Sequence, residues 1–254
     1  VAVNNVLRPL AARAVATSSD EPVDVVVVAV EGFFDPMQWR EPPEQELLPA
    51  FRLAAAEFPS GNVSVPVNGS DTGQVEFEFL TGFPTGLFPV PTVPFPRYVH
   101  RPIHALARVF ADYGYRALAI HSDPADRWNR GTVLPRLGFT EVRFREKLAP
   151  SGASDDERVV ATVVEELQPT AVAFVFAVLR GPAPGSDRQS HFDRLRHTDA
   201  VLARLLETCR ARTRKTMVLV FGTYAPAFLL RESLVTDRES AFRTPVLLWS
   251  NFPR

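Results

Sequence analysis

The sequence predicts an α/β sandwich, a mainly parallel sheet held between two layers of helices. Two observations predict it. Short β-branched runs alternate with segments of helical spacing along the chain, and those runs are apolar on both faces instead of alternating with polar residues. The first strand is residues 25–30, five valines and one alanine. Residues 45–58 carry Leu47, Leu48, Phe51, Leu53, Ala54 and Ala55 at helical spacing. A strand at 63–67, a helix at 103–111, a strand at 116–121 and a short strand at 140–144 follow. Residues 155–167 then form a helix behind the capping residue Ser154, and residues 171–179 are a continuous apolar run. A long helix covers 192–212, and strands at 217–221 and 245–249 complete the sheet.

Prolines recur between residues 83 and 96, at Pro84, Pro89, Pro91, Pro94 and Pro96. Such spacing excludes helix and central strand, and the interleaved Phe and Leu make this an ordered, surface-packed excursion instead of a linker. No domain boundary is expected there, and residues 149–153 read as a connection within one sheet. Residues 1–254 are therefore expected to be a single domain.

Composition sets the outer limits. With 254 residues, 46% hydrophobic and 22% charged, the chain can bury a full core. A net charge of −1 gives no general attraction to nucleic acid. The run Arg210, Arg212, Arg214, Lys215 is expected at a helix end, where cations offset the dipole. Cys209 is the only cysteine, which excludes an intrachain disulfide and a thiolate metal cluster. The longest apolar run, 25–30, is too short to cross a bilayer, and residues 1–15 lack a signal-peptide pattern. A start at Val1 fits a piece of a longer protein.

Chemistry in an open parallel sheet collects beyond the carboxyl ends of strands. Glu31, Thr72, His121, Arg180 and the pair Thr223-Tyr224 each follow a predicted strand, so all are expected on one rim. Between His121 and Leu137-Gly138-Phe139 lies Trp128-Asn129-Arg130. A guanidinium fork beside an aromatic face suits an anionic, partly apolar group such as a glycerophosphate. Taken singly, each residue has a plainer use. Glu31 would be a solvated loop residue, Thr72 a helix N-cap, Trp128 core, His121 a satisfied strand-end histidine, and Glu76 and Glu78 solvated helix residues.

The ordered set explains more than its parts. The segments 30–36 (Val-Glu-Gly-Phe-Phe-Asp-Pro), 72–82 (Thr-Gly-Gln-Val-Glu-Phe-Glu-Phe-Leu-Thr-Gly), Trp128-Asn129-Arg130, Ser154-Asp155-Asp156, His197-Thr198-Asp199 and 244–251 (Thr-Pro-Val-Leu-Leu-Trp-Ser-Asn) resemble, in order, the extracytoplasmic domain of the lipoteichoic acid synthase family. Those are phosphoglycerol transferases of the sulfatase and alkaline phosphatase superfamily, among them enzymes that decorate periplasmic glucans. The resemblance implies a manganese or magnesium ion, a metal-bound threonine nucleophile and a phosphoglyceryl-threonine intermediate whose group passes to an acceptor hydroxyl. It makes Glu31 and Thr72 metal ligands, Thr72 also the nucleophile, and His121, Trp128 and Arg130 the groups that hold the phosphoglycerol head. It also implies an extracytoplasmic location, with membrane spans upstream in the parent protein.

The chain departs from that pattern at two places. Thr223-Tyr224 stands where the family has an Asp-His pair, and Arg180 where it has a histidine before Gly-Pro. The reading is therefore a degenerate metal site with weak or absent metal, in which Arg180 pairs with Glu31 or binds a phosphate directly. Asp71, Asp123 and Asp126 are further oxygen donors near the rim. The expected function is an impaired transferase domain, a pseudoenzyme that binds a phosphoglycerol-like lipid head group or a cell-envelope glycan beside an active paralogue. The alternative is an active phosphoglycerol or phosphoethanolamine transferase, or a phosphate or sulfate ester hydrolase, that uses Thr72.

Overall fold

A computed structural model describes residues 21–40, 42–88, 93–150, 152–167, 170–232, 234 and 237–253. The expectations for residues 1–15, for part of the proline-rich excursion (89–92) and for residue 151 of the connection lie outside the described residues. The described strands form one seven-stranded sheet in the order β2-β7-β6-β1-β5-β3-β4. Its members are β1 (Asp24–Val30), β2 (Ser60–Ser64), β3 (Arg116–His121), β4 (Glu141–Arg143), β5 (Ala173–Leu179), β6 (Thr216–Gly222) and β7 (Arg243–Ser250). The five strands from β6 to β4 are mutually parallel, and β7 runs antiparallel to both β6 and β2.

Beta-branched valines make β1 the centre of the sheet. Val26, Val28 and Val30 face one apolar cluster, and Val27 and Ala29 the other. Each such fully buried valine contributes roughly 1.5–3 kcal/mol of transfer free energy. The first cluster is covered by α1 (Pro49–Glu57), α6 (Asp155–Glu166) and α7 (Arg188–Arg210). The second is covered by α2 (Thr72–Thr81), α3 (Pro94–Tyr98), α4 (Leu106–Asp112) and α5 (Arg130–Arg136). A short α8 (Phe228–Arg231) follows β6. Helices on both faces of a mostly parallel sheet are the expected sandwich.

Several boundaries move, each for a local reason. The helix expected over 45–58 starts only at Pro49, which occupies its first turn, where a missing N–H costs nothing. The strand expected at 63–67 lies at Ser60–Ser64, because Pro66 cannot donate to a ladder; Val65 bonds to the Phe242 carbonyl instead. The excursion does contain a helix, α3, since Pro94 and Pro96 fall within its first turn. Ser154 forms the expected cap and completes a capping box with Glu157. Of the basic run, only Arg210 ends a helix. Arg212 and Arg214 pair with the buried Asp24 at the start of β1, and Lys215 with Glu21.

Candidate active site

The carboxyl ends of β1, β5, β6 and β3 share one edge of the sheet. Val30 is level with Leu179 and Gly222, and His121 with Val178. Glu31 leaves β1 at this edge, its N–H bonded to the Leu179 carbonyl. Thr72 is the first residue inside α2 and not the cap, which is Asp71, exposed and left-handed at φ 63°. Asp71 stays exposed at that turn, while the Thr72 side chain is buried beside Glu31 and Glu76. The Thr72 hydroxyl lies 3.1 Å from Glu31 Oε1 and 3.2 Å from Glu76 Oε1. A hydroxyl has one proton, so Thr72 can direct it fully at only one of the two carboxylates at a time.

Glu76, one helical turn beyond Thr72, is the organising residue of the site, and the plainer reading of it as solvated is wrong. It is fully buried and accepts two hydrogen bonds from Arg130, one from Nη2 and one from Nε at 3.1 Å. Arg130 is equally sealed, and its Nη1 lies 3.5 Å from Asp123 Oδ2. The signal was in the sequence: Thr72, Glu76 and Leu80 form an i, i+4 stripe, and a carboxylate in a buried stripe demands a cation. Burial opposes the charge on Glu76, but Arg130, and then His121, bring its pKa down to about 2. Glu31 goes the other way. Burial first, then the charges of Glu76 and Asp123, push its pKa up to about 7.

His121 closes the cluster from β3. Its Nδ1 accepts the Asp123 backbone N–H at 2.9 Å, which leaves the proton of the neutral ring on Nε2. Burial, then Arg130, lower its pKa and keep it neutral. Nε2 stands 3.8 Å from Glu76 Oε1 and has no hydrogen-bond partner. It is a buried donor without an acceptor.

Two consecutive residues with positive φ, Trp128 at 52° and Asn129 at 57°, set the approach to α5. Each costs on the order of 1–3 kcal/mol, and such strain concentrates at functional sites. The turn lays the half-buried Trp128 ring across the start of α2, where Gly73 makes room: a Cβ there would come within 2.7 Å of the ring. The guanidinium carbons of Arg130 and Arg127 lie 4.4 and 4.9 Å from that ring's centroid.

The structure thus brings Glu31, Thr72, His121, Trp128 and Arg130 together. Arg180 is apart from them. Its side chain faces Asp155, 3.6 Å away, so the pairing expected with Glu31 is not made. It lines an open cleft with Asp123, Pro124, Asp126, Arg127 and Arg145. Thr223 and Tyr224 are fully buried beyond β6. The Thr223 hydroxyl donates to the Val30 carbonyl at 3.4 Å, and Tyr224 Oη to the Pro182 carbonyl at 3.2 Å. Burial, then the charge of Glu31, push the Tyr224 phenol far up. Among the described residues, no group of three or more His, Cys, Asp or Glu is arranged to hold a metal.

No protein-family model matches the chain. The sequence is 26% identical over 269 aligned positions to a candidate cyclic beta-1,2-glucan modification protein of Rhizobium meliloti (strain 1021). That alignment takes in 90% of this chain and only 42% of the relative's length. Among solved structures, the chain is similar to the phosphoglycerol transferase GacH of Streptococcus pyogenes in complex with sn-glycerol-1-phosphate. The TM-score is 0.78 at 18% identity, over 98% of this chain and 74% of that one. The lipoteichoic acid synthase LtaP of Listeria monocytogenes gives 0.72 at 16% identity, covering 89% and 65%. A protein of the alkaline phosphatase superfamily from Vibrio parahaemolyticus gives 0.71 at 15%, covering 92% and 61%. These likenesses establish the alkaline phosphatase and sulfatase-like fold that the sequence motifs resemble.

Proposed function

We propose that this chain is a phosphoglycerol-transferase-like domain of a glycan-modifying protein, one that holds an anionic phosphoglycerol-type group and has impaired catalysis of its own. The observation that carries the reading is the state of Thr223 and Tyr224. Both hydroxyls are spent on main-chain carbonyls, and the Tyr224 phenol is far from ionising, so neither supplies an anionic donor opposite Glu31. Glu76 is neutralised by Arg130. Glu31 and Thr72 remain as the ligands for manganese or magnesium, too few for a tight site.

What survives is the cradle. The unpartnered His121 Nε2–H gives a buried donor, the first turn of α2 presents its positive end, and the Trp128 face offers an apolar wall for glycerol carbons. Arg130 is sealed from solvent and its charge is met by Glu76 and Asp123, so it serves to hold Glu76 and the Trp128 ring in place. The glycan as partner is supported by the relative's name, and an extracytoplasmic site by the resemblance of the motifs. No helix among the described residues is long and apolar enough to cross a membrane.

One observation favours a second reading, an active transferase or ester hydrolase. The Thr72 hydroxyl is buried between two carboxylates at a helix start, a position suited to a nucleophile. The test is an assay of the purified domain with Mn²⁺ and a glycerophosphate ester, paired with calorimetry of sn-glycerol-1-phosphate. The proposal expects binding without turnover. Product release that disappears in Thr72→Ala would transfer the assignment to the second reading.

A further inference from the structure

The cleft outside the Thr72 cluster has an arginine arrangement that the inner site does not use. Arg145 Nη2 and Arg180 Nη1 approach the same oxygen of Asp155, at 3.2 and 3.6 Å, and Arg158 Nη1 reaches its other oxygen at 3.9 Å. Three guanidiniums thus share one carboxylate. Arg158 is further occupied by the carbonyls of Ala149, Arg145 and Leu148, and Arg145 Nε by that of Ser122. Arg180 is the least committed of the three, and its side chain is 43% exposed.

The cleft that Arg145 and Arg180 line is solvent-open and has a volume of about 410 Å³. Its other charged residues are Arg127, Asp123 and Asp126. Asp123 is taken by Arg127 at 2.8 Å and by Arg130, so it joins the outer cleft to the inner cluster. Gly181, at φ 48°, lets the Arg180 loop pass against the Glu31 backbone, where a side chain would collide with the Glu31 carbonyl. That close passage fixes Arg180 at the lip of the inner site while its guanidinium turns outward to Asp155.

We propose that the Arg145–Arg180 cleft is a second anion subsite, which selects acceptor glycans that already carry an anionic substituent. Its ligand chemistry is an oxyanion, a phosphodiester or a carboxylate, on a chain whose neutral sugar units rest in the open cleft. Two planar forks aimed at one point suit an oxyanion, which would take the place beside Asp155 or displace it. This deepens the reading of the inner site as a phosphoglycerol cradle: one pocket holds the group, and the neighbouring cleft holds a charged acceptor. The contact is non-covalent and needs no metal.

The experiment is calorimetry on the whole chain with three probes: inorganic phosphate, a neutral β-1,2-linked glucose oligosaccharide, and the same oligosaccharide bearing phosphoglycerol. A succinylated oligosaccharide separates carboxylate from phosphodiester recognition. The substituted oligosaccharide is expected to bind roughly tenfold or more tightly than the neutral one, with affinity falling as salt rises. Arg145→Gln/Arg180→Gln removes that advantage and leaves sn-glycerol-1-phosphate binding at the inner site intact. Arg145→Lys/Arg180→Lys keeps the charge and retains part of the advantage, which guards against a folding artefact, with thermal melting as the check. Equal binding of neutral and substituted oligosaccharides, or an advantage that survives the glutamine pair, overturns the subsite. Thr72-dependent turnover, by contrast, would remove only the impaired-catalysis reading, since the subsite is read by binding alone.

Discussion

Two buried arginine–carboxylate clusters stand at opposite ends of the central sheet, and they differ in completeness. At the amino end of β1, Asp24 Oδ1 accepts the Ala173 N–H at 2.9 Å and Oδ2 accepts Arg212 at 2.5 Å. Arg212 spends its other nitrogens on the Leu167 carbonyl and Thr216. Both oxygens of Asp24 and all three nitrogens of Arg212 are thus paired within the fold. At the carboxyl end, Glu76 and Arg130 are more deeply buried than Arg212, yet they leave His121 Nε2 without a partner, a Thr72 hydroxyl shared between two carboxylates, and Glu31 with its pKa pushed up to about 7. Saturated clusters hold a fold together; incomplete ones leave a place for a ligand.

The largest effects expected from breaking this comparison come from its two arginine–carboxylate pairs. Asp24→Ala and Arg130→Ala each strand a buried charge and should cost about 3–5 kcal/mol in urea unfolding. They should part in binding: folded Asp24→Ala keeps its affinity for sn-glycerol-1-phosphate, and Arg130→Ala loses it. Equal loss of binding in both would erase the distinction between the two ends.

A pair of histidines sharpens the same contrast with a smaller effect. His191 is satisfied: its Nε2 meets the Gly32 carbonyl at 3.1 Å among Phe34 and Phe228, and burial lowers its pKa to about 4. Between the unfolded value near 6.5 and the folded value, the unfolded chain binds more protons. Stability should therefore fall by about 3 kcal/mol as pH drops from roughly 6.5 to 4. His191→Gln should remove that part of the pH slope in thermal melts, and an unchanged slope would contradict the assignment. His121, the incomplete one, should behave in reverse. His121→Ala loses only the hydrogen bond from the Asp123 N–H to Nδ1 and none through Nε2, so its hydrogen-bond cost to stability should be about 1 kcal/mol, while affinity for sn-glycerol-1-phosphate falls roughly tenfold.

Much of the fold was legible because its signals are local. Five valines in six positions, an apolar run at 171–179 and a capping Ser154 each dictate an element with little help from elsewhere. The edge strand was displaced because Pro66 outweighs the valines on either side of it. At the site, motif order brought Glu31, Thr72, His121, Trp128 and Arg130 into view, since each lies beside a strand end or a helix start. For Glu76 the i, i+4 stripe signals burial, but the cation that this burial demands, Arg130, lies 54 positions away, and no local pattern names it. Arg180 illustrates the converse: its position at a strand end was clear, but its direction was decided by Asp155 on another helix.

We propose that Thr223 and Tyr224, which stand where the family that the motifs resemble has a metal-binding pair, leave Glu31 and Thr72 with too few ligands for a tight metal site. Calorimetric titration with Mn²⁺ at neutral pH tests it most directly, on the wild type, Glu31→Ala and Thr223→Asp/Tyr224→His. The account predicts a dissociation constant on the order of millimolar in the wild type and one roughly a hundredfold tighter in the double variant. Micromolar binding in the wild type that vanishes in Glu31→Ala would contradict it.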